Sequence, residues 1–214
     1  EVQAANPQIK AGRYYFDYVG PDGRIAGIPL TMPGRHNMHN ALAAITAARQ
    51  VSVDDEQIKA AMAAYQGVRR RFEYIIDKPE CVFVDDYAHH PAEIAAFIGA
   101  MRDLYPQQKI MIIFQPHLYS RTRDLAADFA HSLDLADTVV LLDIYPAREV
   151  PVTGVTSRII LERMQLADKH LLSREETLHF IAERQPAILA TVGAGDIDTL
   201  VPGIKNLLTK TCMT

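Results

Sequence analysis

Two cysteines in 214 residues, Cys81 and Cys212, are too few and too far apart for a disulfide framework or a zinc site. No apolar run approaches the roughly 18 residues that a membrane-spanning helix needs, and no secretory signal is visible. Charge of one sign is missing too. The 26 acids and 22 bases leave a formal −4, which argues against nucleic acid or any general polyanion as partner, while a local basic cluster can still hold a phosphate. Neither G-x-x-x-x-G-K-[ST] nor G-x-S-x-G occurs, so these residues contain no P-loop and no nucleophile elbow. What is left is a reducing, cytoplasmic setting with no membrane segment. With 49% hydrophobic residues there is enough apolar material for one large core or two modest ones. The chain opens on Glu1, not Met, and is expected to be a piece of a longer polypeptide.

"RYYFDYV" and "IAGIPL", separated by the turn signal "GPDGR", predict a hairpin over 13–30. "TMPGRH" breaks the chain, and the Ala-rich "NMHNALAAITAARQ" has helical spacing. A second helix is predicted in "DDEQIKAAMAAYQG", with acids in its first turn and a glycine at its end. The basic "VRRRFEYII" then leads into a strand. From there "CVFVDD", "KIMIIF", "DTVVLLDIY" and "AILATV" are apolar runs of strand length, with "KHLL" as a further short one. They alternate with helical stretches "PAEIAAFIGAMRDLY", "RTRDLAADFAHSLDLA", "SRIILERMQLA" and "REETLHFIAER". That alternation predicts βαβ units and a largely parallel sheet covered on both faces. A domain boundary is placed at "GVRRR", dividing 1–69 from 70–214.

In a parallel sheet the strand C-termini share one edge, and ligands bind beyond it. Three successive strands end in polar clusters: Asp85, Asp86, Tyr87 and His89; Gln115 and His117; Asp143 and Tyr145. Such repetition reads as a site. A structural reading stands beside it for Asp85 and for His90, because His90–Pro91 resembles an N-cap followed by proline at the first helical position. His131, His170 and His179 read as surface or packing residues.

"GRHNMHN" sets His36, Asn37 and Asn40 at a helix start, with the pairs 36/40 and 37/40 on one face. A carboxamide both donates and accepts, which suits adenine; helix capping by Asn37 is the alternative. "RRRF" offers guanidinium forks matched to phosphate, of which one or two can reach a ligand. "QPHLYSRTRD" puts His117, Arg121 and Arg123 around a helix N-terminus, where basic groups oppose the dipole; an anion such as a carboxylate or phosphate would offset that cost. "VGAGD" lacks the third glycine of a dinucleotide fingerprint and reads as a tight strand-to-helix turn.

Taken together, "PGRHNMHNALAA", "GVRRRFEY", "VDDYAHHPAEI", "FQPHLYSRTRDL" and "GAGDI" resemble, in order, the Mur ligases, over about residues 30–204. The resemblance implies an α/β fold: a Rossmann-like C-terminal domain with a mostly parallel sheet, preceded by the hairpin-plus-helices end of a central ATPase domain. It implies an ATP-dependent, amide-forming C–N ligase of peptidoglycan synthesis, with UDP-N-acetylmuramate and L-alanine as substrates and an acyl phosphate on the way. ATP and Mg2+ are the implied cofactors. The UDP-sugar domain, the phosphate loop and most metal ligands would then lie ahead of Glu1, with no metal ligand assigned here and no ligation expected from these residues alone. By the same resemblance His36, Asn37 and Asn40 hold adenine and ribose, Arg71 reaches the ATP phosphates, and Asp86 contacts the nucleotide. Tyr87, His89, His117 and Arg121 form the amino-acid pocket, and Arg71, Asp86, His89 and His117 serve catalysis. Many family members carry arginine directly after the "QPH" histidine; Leu118 here shifts carboxylate binding onto Arg121. Murein tripeptide ligases share a similar "HHP" segment but lack "QPHxYSRTRD", and so come second. A stand-alone nucleotide-binding module using "GAGD" is the alternative from another class. A metal-dependent hydrolase built on "DDYAHH" is disfavoured, since adjacent strand residues point to opposite faces.

Overall fold

The computed structural model describes residues 1–10 and 13–211, so Cys212 lies outside the described residues. The chain divides into two compact units, Glu1–Val68 with Gly99–Pro106 and Arg69–Ile98 with Gln107–Thr214.

In the first unit, β1 (Gln3–Lys10), β2 (Arg13–Gly20) and β3 (Gly23–Leu30) form an antiparallel sheet in that order. β2 and β3 are the expected hairpin, with Gly20 paired to Gly23 across the turn. β1 is an addition. Its register shifts between Ala5 and Gln8, where Asn6 is left-handed at φ 48°. Such a bulge on an edge strand accommodates Pro7, which has no N–H to give a ladder. Asn6 also ties β1 to its neighbour: its amide, the Arg24 guanidinium and Gly27 N–H donate to Asp17 at 2.7, 2.6 and 2.7 Å. Those donors, Asn6 foremost, hold the Asp17 carboxyl down at about 2. Tyr14, Phe16 and Tyr18 alternate into the core. α1 (Arg35–Gln50) and α2 (Asp55–Ala64) bury Met38, Leu42, Ile45 and Ile58, and Asp54 caps α2 by accepting from Gln57 N–H.

The second unit has a six-stranded sheet. Its strands are β4 (Glu73–Lys78), β5 (Cys81–Asp86), β6 (Ile110–Phe114), β7 (Thr138–Leu141), β8 (Lys169–Leu171) and β9 (Ile188–Val192), in the order β4-β5-β9-β6-β7-β8. Every pairing is parallel except β4 with β5. The architecture is therefore α/β with a mostly parallel sheet. The connecting helices are α3 (Pro91–Leu104), α4 (Tyr119–Asp124), α5 (Ala126–Leu133), α6 (Arg158–Leu161) and α7 (Arg174–Arg184), with α8 (Val201–Thr211) following β9. β5, β6, β7 and β9 are buried along their whole length, as expected of strands covered on both faces. Phe83, Met111, Ile113, Val140 and Leu189 form one core face with Ile181, Ile197, Ile204 and Leu208. On the other, Phe114 meets Phe129 of α5 with ring centres 5.4 Å apart.

Two predicted helices come out shorter. "RTRDLAADFAHSLDLA" is split at Leu125 into α4 and α5. One turn earlier the Thr122 hydroxyl donates to the Leu118 carbonyl, a back-bond that bends helices. "SRIILERMQLA" is α-helical only over α6, because Asp134 captures the N–H groups of Gln165 and Leu166 and turns the chain. The strand ends nevertheless stay level: Asp86 pairs with Val192, which pairs with Phe114, which pairs with Leu141. β9 returns to lie between β5 and β6, so this level edge is where strand order departs from chain order, the place where open α/β sheets bind ligands.

Candidate functional site

At the end of β5 two buried carboxylates serve different partners. Asp85, 2% exposed, accepts from Thr191 Oγ1 at 2.6 Å and from Arg70 Nε at 3.1 Å. Burial pushes its carboxyl up, against the pull of Thr191 and Arg70. Asp86, 8% exposed, accepts from Phe72 N–H on one oxygen (2.7 Å) and from Ala88 N–H on the other (2.8 Å). Burial pushes it up to about 6, although both amides and the charge of Arg71 favour its ionised form. Asp86 thus staples the segment before β4 to the turn after β5.

The three arginines separate. Arg69 and Arg71 are exposed, while Arg70 is spent on the fold. Beyond Asp85, its guanidinium donates to the carbonyls of Gly193 (2.6 Å) and Gly195 (3.2 Å) and lies 5.1 Å from the Tyr87 ring centre. Its own carbonyl accepts from Tyr87 N–H at 2.7 Å. Arg70 and Phe72 are left-handed at φ 58° and 47°. Each such conformation costs on the order of 1–3 kcal/mol and persists only where the surroundings impose it. Arg71 sits between them, its guanidinium 5.5 Å from the same Tyr87 ring. Sequence reasoning missed the part played by Arg70; no local signal separates it from its neighbours.

The "GAGD" segment is a packing turn. Gly193 N–H donates to Asp86 O at 3.0 Å, and the Gly193 and Gly195 carbonyls are taken by Arg70. A Cβ on Gly195 would come within 2.5 Å of Gln115 Oε1 and 2.7 Å of Tyr145 Cβ, and one on Gly193 within 2.8 Å of Gln115 O. The Gly193 φ of 147° adds a second reason for glycine there.

Along the edge the aromatic rings form a chain. Ring centres are 5.4 Å apart for Tyr87 and His89, 6.1 Å for His89 and His117, and 5.7 Å for His117 stacked on Tyr145. The structure thereby gathers Asp86, Tyr87, His89 and His117 on one rim. His89 Nδ1 lies 3.0 Å from Tyr87 O and 3.5 Å from Glu93 Oε2. Both are acceptors, so Nδ1 is the donor toward them. Burial, then the charges of Arg121 and His89, lower the His117 pKa, which keeps its ring neutral near pH 7. Four buried side-chain atoms among the described residues have no hydrogen-bond partner. Three of them, Gln115 Oε1, His117 Nδ1 and Arg121 Nη1, come from residues 115–121. Buried polar groups are nearly always paired, so such a cluster calls for a ligand.

A carboxylate of the protein itself meets the start of the following helix. Glu149 accepts from Ser120 N–H at 2.9 Å and from the Ser120 hydroxyl, and also takes a backbone hydrogen bond from Tyr119. These bonds, the hydroxyl first, hold its carboxyl below the usual range. The arginines expected to oppose the helix dipole do not: α4 begins at Tyr119, so Arg121 and Arg123 fall in its last turn, and Glu149 serves the first turn. Its position 29 residues downstream of Ser120, in a loop without periodic pattern, gave no signal.

In the first unit, α1 starts after Gly34 with no side-chain cap. Asn37 is therefore not the cap; its amide donates to Pro33 O at 2.8 Å. Asn40 donates to Asn37 Oδ1 at 3.4 Å, so these two do share a face, and His36 and Asn40 are exposed. Asn37 retains one N–H, and Asn40 its carbonyl oxygen, toward a ligand such as a nucleobase. Arg71, exposed and unspent in hydrogen bonding, has the charge and fork to take phosphate oxygens. Among the described residues no group of three or more His, Cys, Asp or Glu is placed to hold a metal ion, and no helix is long and apolar enough to cross a membrane.

Known proteins share this fold. A UDP-N-acetylmuramate–L-alanine ligase of Phocaeicola vulgatus is 46% identical over 211 residues, covering 98% of this chain and 46% of that protein. The crystal structure of a UDP-N-acetylmuramate–alanine ligase from Thermotoga maritima superposes with a TM-score of 0.79 at 25% identity, over 99% of this chain and 46% of that one. A murein peptide ligase from Psychrobacter arcticus shares the fold at a TM-score of 0.59 and 22% identity, over 98% and 43% of the two chains. The chain spans about half the length of the relatives it matches. Residues 70–201 match the family described as "Mur ligase, glutamate ligase domain", and since that is more than half of its residues, the chain belongs to the Mur ligase family.

Proposed function

We propose that this chain supplies the amino-acid side of an ATP-dependent ligase that joins L-alanine to UDP-N-acetylmuramate in the cytoplasm. The observation that carries the reading is the set of unpartnered buried atoms at Gln115, His117 and Arg121, beside His89 on the level edge of the sheet. An α-amino acid needs a cation for its carboxylate and a base for its ammonium. Arg121 supplies the first. His117, neutral and with Nδ1 unpartnered, takes a proton from the ammonium when its own proton sits on Nε2. His89 lines the same pocket beside His117, and Tyr87 walls it through its ring contact with His89. Oriented groups of this kind turn a bimolecular encounter into an effectively intramolecular one.

ATP, when bound, supplies the phosphoryl group that activates the sugar's carboxylate. Arg71 binds its phosphate oxygens, while His36, Asn37 and Asn40 hold adenine and ribose. Asp86 holds the amide that follows Arg71 and the amide that follows Tyr87, and thereby positions both. Mg2+ is implied by the family, and the described residues offer no cage for it. The 214 residues carry no phosphate-cradling loop, so ligation is expected only where such a loop is supplied. The test is a coupled phosphate-release assay in a polypeptide of the relatives' full length. Arg71→Ala and Asp86→Ala are expected to lose at least a hundredfold in turnover with L-alanine; near-normal rates in both would refute the assignment. A preference for murein tripeptide over L-alanine would move the chain to the recycling branch.

A further inference from the structure

We propose that Glu149 is a positioning residue that sets the first turn of α4 and so aims Arg121 and His117 at the amino acid; the inference rests on the function proposed above. In the stretch 146–154 every residue is exposed except Glu149, which is half-buried. A tight turn aims it: Ala147 is left-handed at φ 50°, and Glu149 N–H donates to Pro146 O at 2.9 Å.

The target of that turn is a helix that cannot hold itself. α4 has six residues, far below the length at which a helix is stable alone. Its N-cap, Leu118, has no side-chain acceptor and is left-handed at φ 72°. Its first turn carries no acidic residue of its own to meet the positive end of the dipole, since Arg121, Arg123 and Asp124 lie further along. Glu149 answers each deficit, because its carboxylate accepts from Ser120 N–H and Oγ–H and adds negative charge to the first turn.

Four residues upstream, Tyr145 grips the same segment from the other side. Tyr145 N–H donates to Pro116 O at 2.8 Å, Leu118 N–H donates to Tyr145 O at 2.9 Å, and the Tyr145 ring stacks on His117. Residues 145–149 therefore form a bracket around 116–120. Tyr145 fixes the end that carries His117, and Glu149 fixes the end that leads into Arg121. Loss of Glu149 leaves the amides of Tyr119 and Ser120 unpaired and frees the arginine end while the histidine end stays held.

The experiment measures KM for L-alanine, KM for ATP and kcat in the full-length ligase, together with amide and imidazole NMR of the 214-residue chain. Glu149→Ala is expected to raise KM for L-alanine at least tenfold with KM for ATP within twofold, and to shift the Ser120 amide and the His117 ring resonances. Glu149→Gln, whose carbonyl accepts from Ser120 N–H and whose amide donates to Ser120 Oγ, is expected to return both readouts to within threefold of the parent. Should Glu149→Ala fail to fold, Ser120→Ala removes the hydroxyl bond alone and is expected to raise KM for L-alanine about threefold, again sparing ATP. Unchanged alanine KM, or equal effects on both substrates, overturns the proposal. If the parent ligates no amino acid at all, the assigned function fails; the NMR readouts then decide the positioning role, and unmoved Ser120 and His117 signals in Glu149→Ala refute it.

Discussion

Arg70→Met isolates the keystone of the second unit. The substitution preserves much of the side-chain volume and removes a guanidinium that donates to Asp85, Gly193 O and Gly195 O. The side chains of the ion pair are 13% and 3% exposed, so water cannot replace the lost partner at Asp85. Breaking a buried pair on one side costs about 3–5 kcal/mol, chiefly through the charge left behind. At a urea slope of about 2–3 kcal/mol per molar that is a midpoint shift of roughly 1–2 M. Burial already raises the Asp85 pKa against the pull of Arg70, and losing Arg70 raises it further. The folded state then binds the proton more tightly than the unfolded chain. The penalty should therefore be full at neutral pH and shrink as pH falls toward the ordinary carboxylate value, where Asp85 is neutral in both states. Adding Asp85→Asn to Arg70→Met removes the stranded charge and should recover about half of the loss. Urea melts at pH 7 and pH 4.5, with hydrogen exchange on β5 and β9 as the local probe, read the result. A loss below about 1 kcal/mol that is the same at both pH values would refute the reasoning, because a solvated, replaceable arginine behaves in that way.

Asp86 makes a second pH-dependent contribution: with its folded pKa at about 6 against 3.8 unfolded, stability from this group is complete below 3.8 and is lost as pH rises through 6. The change is about 3 kcal/mol, at about 1.4 kcal/mol for each pH unit between the two values, and Asp86→Asn should flatten that part of the stability–pH curve. An unaltered slope in the variant would show that another group titrates there. Gly195→Val should cost about 1–3 kcal/mol by overpacking, since the new Cβ meets Tyr145 Cβ and Gln115 Oε1. It should also displace the Gln115 amide from Asp196, to which it donates at 2.9 Å; a parental melting temperature with an unmoved Gln115 side-chain signal would count against that packing.

The second unit was legible because its strands are buried on both faces, so "CVFVDD", "KIMIIF" and "AILATV" stand out as unbroken apolar runs between helical stretches. β1 was not legible. Pro7 and Asn6 argue locally against a strand, and only pairing with β2 and the Asn6–Asp17 bond make it one. Asp86, Tyr87, His89 and His117 could be picked out because they follow strand ends, and a parallel sheet must bring those ends together. Arg70 and Glu149 could not, since what distinguishes each is a partner far along the chain: Gly193 and Gly195 for one, Ser120 for the other. Asn37 shows the opposite error. A residue type suited to capping sits three places past the true cap and spends its amide on Pro33.

The paired left-handed residues around Arg71 have a thermodynamic consequence. Phe72 N–H is clamped by Asp86 and Arg70 by four separate groups, so the peptide units flanking Arg71 are immobilised when the domain folds. A phosphate captured there has only side-chain torsions left to freeze, roughly 2 kcal/mol of rotamer entropy at most, and no loop to order. Attraction between guanidinium and anion is then spared the larger ordering cost that a floppy basic tail would impose on every binding event.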